Sequence, residues 1–175
     1  MQQQQPNSLA QSMTLRPITM DDMSTARYVH ASAFARTAAD FYTPEDIAAV
    51  EAYVRGPLYA DLLLGNPATA GFIDGEMVAT AAWSPGPPRS PTARILALNV
   101  RPLFMGEGLG SKILGRIDAQ IREAGFSALE VAATFNSAGF FESNGFRLVR
   151  KSTWALPAGY ELPVAYMRKA EFKGL

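Results

Sequence analysis

Residues 95–100 (Ile-Leu-Ala-Leu-Asn-Val) form an apolar, strand-like run, and the turn after it carries glycine at every second position: Gly106, Gly108 and Gly110. A helical pattern starts at once. Ile113, Leu114, Ile117 and Ile121 fall on one stripe, Lys112, Arg116, Gln120 and Arg122 lie off it, and Asp118 can pair with Arg122. Gly115 in mid-helix costs about 1 kcal/mol relative to alanine, which close packing on a sheet would justify. Gly125 ends the helix as a C′ residue with Phe126 folded back on the last turn, and residues 128–133 give a second apolar strand. A strand–helix–strand unit this short makes the two strands parallel neighbours joined by a right-handed crossover.

The glycine turn has its own chemistry. Glycines leave backbone N–H groups unshielded, and the helix start adds unpaired N–H groups and the positive end of its dipole. That combination suits the phosphates of a ligand. Two familiar phosphate loops are excluded by spacing. A Walker loop needs Gly-Lys-Ser/Thr, whereas Gly110-Ser111-Lys112 displaces the lysine by one position. The dinucleotide fingerprint Gly-x-Gly-x-x-Gly is broken because the third glycine is out of register.

At this point the chain resembles the GNAT superfamily of acyl-CoA-dependent N-acyltransferases. The family's pyrophosphate loop, Gln/Arg-x-x-Gly-x-Gly/Ala, is matched by Met105-Gly106-Glu107-Gly108-Leu109-Gly110, with Met105 in place of the usual polar residue. Leu98-Asn99-Val100-Arg101-Pro102 looks like the end of its strand 4, and residues 136–146 like the helix Asn-Ala-x-x-Phe-Tyr-x-x-x-Gly-Phe. Further likeness at Leu15-Arg16-Pro17 with Asp21-Asp22, and at Met167-Arg168-Lys169, extends it over most of the chain. The resemblance implies an α/β fold: a mixed, mostly antiparallel sheet with helices on both faces and a parallel strand 4–strand 5 pair splayed to admit CoA. It implies that the backbone of Leu98, Asn99 and Val100 holds the pantetheine arm and the thioester carbonyl. Met105, Gly106, Glu107, Gly108, Leu109, Gly110 and Ser111 would bind the pyrophosphate, with charge from Lys112 or Arg116. Asn136, Phe140 and Phe141 would lie against the cofactor, the Asn136 side chain on the pantetheine amides or simply capping the helix.

The catalytic groups are harder to place. Phe141 stands where the family often has a tyrosine that protonates the leaving thiolate, and phenylalanine has no proton to give. Strand 4 lacks the family's glutamate. Candidates for proton transfer are Glu130, which alternatively is a strand-end charge facing solvent, and Tyr42, which alternatively packs; Asn136 completes the set. His30, the single histidine, can titrate near neutrality or sit in a structural place. Trp83, Trp154, Phe140 and Phe146 read as core or acceptor-pocket wall.

The 175 residues fit one domain over 13–175 after a polar tail, residues 1–12. The tail lacks a basic start and an apolar segment, so no secretory signal is expected, and no run is long enough for a membrane span. Sixteen basic and sixteen acidic residues cancel, which argues against nucleic acid as a partner. The absence of cysteine and the lone histidine argue against a metal site. Elsewhere, strands are expected at 13–17, at 68–73 and 77–83 joined by an Asp74-Gly75 hairpin, and at 147–154 and 162–169, with helices at 20–34 and 46–64, the latter broken at Gly56-Pro57. The expectation is a cytoplasmic enzyme moving an acetyl group from acetyl-CoA to an amine of a small molecule or peptide. The alternative is a catalytically weak acyl-CoA sensor. The apolar C-terminal run 162–167 suggests strand pairing between subunits of a homodimer.

Overall fold

The computed structural model describes residues 8–170. A one-turn helix α1 (Leu9–Ser12) leads into β1 (Thr14–Pro17). A 3-10 turn at Met20–Asp22 then opens α2 (Met23–Ala38). Next come α3 (Pro44–Arg55), α4 (Pro57–Leu64), β2 (Ala68–Ile73), β3 (Glu76–Pro85) and β4 (Thr92–Val100). The chain finishes with α5 (Leu109–Glu123), β5 (Ala128–Ala133), α6 (Ala138–Ser143), β6 (Arg147–Leu156) and β7 (Tyr160–Ala170).

Local sequence sets the boundaries. Thr43 caps α3 by accepting from the Asp46 N–H while Asp46 bonds back to the Thr43 N–H, and Pro44 and Pro57 each occupy the first position of a helix. Gly56 separates α3 from α4 as its spacing predicts. Asp74 and Gly75 both take positive φ (50° and 80°), the two-residue turn that matches strand twist. Gly125, at φ 93°, closes α5: its N–H donates to Arg122 O and that of Phe126 to Ile121 O.

The strands make one seven-stranded sheet in the order β1-β2-β3-β4-β5-β7-β6. Every pairing is antiparallel except β4–β5. On one face the stripe of α5 (Ile113, Ile117 and Ile121, all fully buried) packs with Val78, Ile95 and Leu129, and with Phe141 and Phe146 from around α6. On the other, α2–α4 contribute Val29, Phe34, Val50, Tyr59 and Leu63 against Ala70, Ala82, Leu162 and Val164. Each fully buried aliphatic side chain contributes roughly 1.5–3 kcal/mol, so both layers are anchored independently.

Four expectations change. Residues 1–7 of the expected tail lie outside the described residues, but residues 9–12 form α1. Lys112 does not add charge to the glycine turn: its Nζ donates to Ala10 O (2.5 Å) and Met13 O (2.6 Å), tying α1 to α5. The C-terminal run 162–167 is no edge. It lies in β7, paired on one side with β5 and on the other with β6, so its backbone is consumed within the chain. Finally, Gly115 is not explained by close packing, since a Cβ there would meet nothing within 4 Å. Gly115→Ala therefore removes backbone entropy from the unfolded chain without a clash, and should stabilise by about 0.5–1 kcal/mol. A melting temperature raised by roughly 1–4 °C in calorimetry is the expected outcome, and a lower one would show a role for Gly115 that packing does not reveal.

Candidate active site

The parallel pairing of β4 with β5 lasts for three residues, Thr92, Ala93 and Arg94 against Ala128, Leu129 and Glu130. Beyond Arg94, β4 stays bonded to β3 as far as Val100, and β5 stays bonded to β7 as far as Ala133. The two strands thus diverge, and the backbone groups that each would have offered the other line the opening. A bulge sharpens the divergence. Ala82 pairs with Leu96 and Thr80 with Asn99, leaving two β4 residues opposite one of β3. Ala97 sits there at φ 47°, a conformation that costs a non-glycine residue about 1–2 kcal/mol. The buried Thr80 hydroxyl donates to Ala97 O (2.9 Å) and holds it.

A cavity of about 780 Å³ fills this opening. At one end lie Met105, Gly106, Gly108, Leu109, Gly110 and Ser111. Gly106 and Gly108 take positive φ (81° and 79°), and Gly108 caps α5 with no side-chain bond, so the first backbone N–H groups of the helix carry no capping side chain. Gly110 has a different reason: a Cβ there would come within 2.9 Å of Phe140 Cε2, so its glycine serves packing rather than approach to a phosphate. Of the loop residues expected on the pyrophosphate, Glu107 alone does not line the cavity. Leu98, Asn99, Val100, Asn136, Phe140 and Phe141 all do. Phe141 is also core, 3% exposed and edge-on to Phe140 and Phe146.

Two amides in this cleft have a buried atom without a hydrogen bond: the donor Asn99 Nδ2 and the acceptor Asn136 Oδ1. Asn136 Nδ2 donates to Thr37 Oγ1 (3.0 Å), which fixes the side chain and leaves Oδ1 free. Asn136 is not the helix cap, a place taken by Ser137. A buried, unpaired polar atom costs about 1–3 kcal/mol, so a donor and an acceptor left in one cavity suit a polar ligand.

The other end of the cavity opens on the α2–α4 face of the sheet, among Arg94, Glu130, Tyr166, Arg150, Trp154, Tyr53, Tyr59 and His30. Glu130 is buried, not a strand-end charge in solvent. Its Oε1 accepts from Arg94 Nε (2.5 Å) and its Oε2 from the Tyr166 hydroxyl. Arg150 lies over the Tyr166 ring, 4.2 Å from its centre. Tyr42, a candidate for proton transfer, does not line the cavity. Its hydroxyl donates to Pro163 O (2.7 Å) and accepts from the Phe135 N–H (2.9 Å), and its ring stacks on Phe135. Burial pushes its pKa up to about 12, so it is a structural tie between β7 and the end of β5. Arg150 and Tyr59 bear no motif that marks them in the sequence. Arg94 does have a signal: it is the one charge in an apolar strand, directly opposite the one charge of the next.

His30 shares a 2.9 Å hydrogen bond through Nδ1 with the Tyr59 hydroxyl. Burial lowers its pKa to about 4, so it is neutral at pH 7. The unfolded chain would then take up this proton first as pH falls. Stability is unaffected by His30 above about pH 6.5 and declines from there toward pH 4. Melting temperature should fall between pH 6.5 and 5, above the carboxylate range, and His30→Gln should flatten that segment. An equally steep segment in the variant would remove the assignment.

The sequence matches the family model described as Acetyltransferase (GNAT) family over residues 33–146. No curated protein sequence matches it. Among solved structures, it resembles a GCN5-related N-acetyltransferase from Rhodopseudomonas palustris (TM-score 0.80, 22% identity, covering 91% of this chain and 96% of that one). It also resembles PaiA N-acetyltransferase from Thermoplasma acidophilum, solved with coenzyme A (0.73, 16%, 91% and 99%). A GNAT family acetyltransferase from Brucella melitensis, solved with acetyl-CoA, matches as well (0.60, 20%, 93% and 90%). These likenesses show the fold. The family match, which runs from within α2 to the end of α6 and takes in both diverging strands and the glycine turn, shows that this chain belongs to the GNAT family of acetyltransferases.

Proposed function

We propose that the protein transfers the acetyl group of acetyl-CoA to an amine. The observation that carries this is the pair of amide atoms without a hydrogen bond, Asn99 Nδ2 and Asn136 Oδ1, in a cleft between two strands that stop pairing with each other after Arg94 and Glu130. The pantetheine arm, with its two amides, has the donors and acceptors such a cleft lacks, and would lie between β4 and β5 as an added strand does. The glycine turn and the start of α5 would receive the pyrophosphate through backbone N–H groups.

Acetyl-CoA supplies a thioester whose carbonyl an amine attacks directly, with a thiolate as leaving group. The backbone of Leu98, Asn99 and Val100, which lines the cavity next to the bulge, would polarise that carbonyl. An aliphatic amine near pKa 10.4 is only about one part in a thousand neutral at pH 7, so proton removal matters. Both oxygens of Glu130 are occupied, which routes the proton through Tyr166: its oxygen takes the amine proton as its own moves to Glu130. Phe141 offers no acid, and a thiolate of pKa about 8.5 leaves acceptably without one.

Gly108→Val puts branched carbons on a residue at φ 79° in the phosphate turn. Acetyl-CoA affinity by calorimetry should fall at least tenfold, and an unchanged affinity would remove the CoA assignment. Tyr166→Phe and Glu130→Gln should each lower amine-dependent thiol release by at least tenfold, less than or comparable to the roughly 10²–10⁴ of a full general base. Acetyl-CoA binding should stay within a few-fold. Tight binding with no amine-dependent thiol release in the parent protein would instead support the sensor reading, which the core position of Phe141 and the missing strand 4 glutamate favour.

A further inference from the structure

We propose that the acceptor amine also carries an anionic group, a carboxylate or a phosphate, held by arginines at the α2–α4 end of the cavity. This names the acceptor class of the reaction proposed above and rests on that reading. The register of four strands brings the charges together. Arg94 of β4 is opposite Glu130 of β5, Glu130 is opposite Arg168 of β7, and Arg168 is opposite Arg147 of β6. In the next row Ala132, Tyr166 and Arg150 are opposite one another. Residues directly opposite share a face, so two adjacent rows present four guanidinium groups and one carboxylate on the side of the sheet where the cavity opens.

That carboxylate is already committed to Arg94 and Tyr166. Among the described residues, Arg147, Arg150 and Arg168 form no salt bridge. Arg168 has only a long contact from Nη2 to Thr92 Oγ1 (3.5 Å), and Arg150 only the ring of Tyr166. Like charges directly opposite each other destabilise a sheet, and here Arg147 faces Arg168. The whole chain is electrically balanced, sixteen basic against sixteen acidic residues, so this local excess does not follow from a basic composition. An anionic ligand offsets the repulsion, and guanidinium groups suit carboxylate and phosphate oxygens by paired hydrogen bonds.

The anion is not the pyrophosphate of CoA. Arg94 lies near the start of β4 and the glycine turn follows its far end at Val100, six residues or roughly 20 Å along an extended strand. Arg94 and Arg150 line the same cavity as Glu130 and Tyr166, while Arg147 and Arg168 lie beside it on the same face of the sheet and add to its field. An amine directed to Tyr166 and Glu130 therefore has guanidinium groups beside it for an anion on the same molecule. The single carboxylate among arginines suits a zwitterion better than a plain amine, whose ammonium form the arginines would repel.

The test is thermal unfolding of the protein saturated with CoA, which fills the phosphate turn, in the presence of matched probes. β-Alanine is compared with β-alaninamide, and phosphoethanolamine with ethanolamine, at equal ionic strength. At least one anionic probe should raise the melting temperature by about 2–4 °C and its neutral analogue should not. The member that does so tells carboxylate from phosphate. Arg150→Gln should abolish the difference and Arg150→Lys should restore part of it. Without any probe, Arg168→Gln should melt no lower than the parent, because it relieves repulsion. Equal shifts from anionic and neutral probes, or a shift kept in Arg150→Gln, overturn the proposal while leaving the transferase reading intact. Failure of CoA itself to stabilise the protein overturns that reading and this one with it.

Discussion

The structure depends on a hydrogen-bonded ladder that stops. β4 and β5 are held together at Thr92–Arg94 and then released, yet neither strand ends there, because each has another partner on its outer side. Continuing both strands while withdrawing their mutual bonds leaves the facing N–H and C=O groups of each without a partner strand. A folded chain tolerates that only where something else satisfies them. The bulge at Ala97, held by Thr80, and the tie from Tyr42 to Phe135 and Pro163 fix the two sides of the opening from opposite ends. Neither residue needs to touch a substrate to matter to it.

Two separately packed layers make such an opening affordable. The α5 layer and the α2–α4 layer bury their own apolar stripes on opposite faces of the sheet, so the core is not drained by a cavity of about 780 Å³ through its middle. The same arrangement gives the cavity two chemically different ends. The α5 end offers backbone N–H groups and a helix dipole, a site for an anion that demands little of side chains. The α2–α4 end offers aromatic walls, a neutral His30, and guanidinium groups around one carboxylate. In the proposed reaction a donor would enter from one end and an acceptor from the other, meeting where β4 has no partner strand.

The local geometry was legible from residue type. Glycine at 106, 108, 125 and 75 reaches the positive φ that the turns require, and prolines at the helix starts fix φ at a helical value, so each marks its turn in the sequence. The α5 stripe and the apolar run of β5 give their elements almost to the residue, since periodicity records which face is buried. Family likeness pointed to residues that line the cavity's α5 end, Glu107 excepted, because loop spacing fixes where that backbone runs. It carried Lys112 badly, as a lysine side chain spans several ångströms and its direction is set by acceptors at Ala10 and Met13, a hundred residues away in the chain.

Sequence by itself determined the elements, the parallel crossover and the glycine turn before α5, because these follow from interactions within a few residues or from a periodic pattern. Only tertiary structure decided the rest. The bulge at Ala97 has no glycine to announce it and exists because Thr80 holds it from β3. The burial of Glu130 follows from its register against Arg94 and the hydroxyl of Tyr166. The gathering of Arg94, Arg147, Arg150 and Arg168 needs the order β4-β5-β7-β6, in which β7 passes between β5 and β6. A strand pattern states which side chains share a face, but not which strand lies beside it. Neighbours across a sheet are chosen by the packing of the whole chain, and Arg94, Glu130, Tyr166 and Arg150 at the α2–α4 end of the cavity are such neighbours.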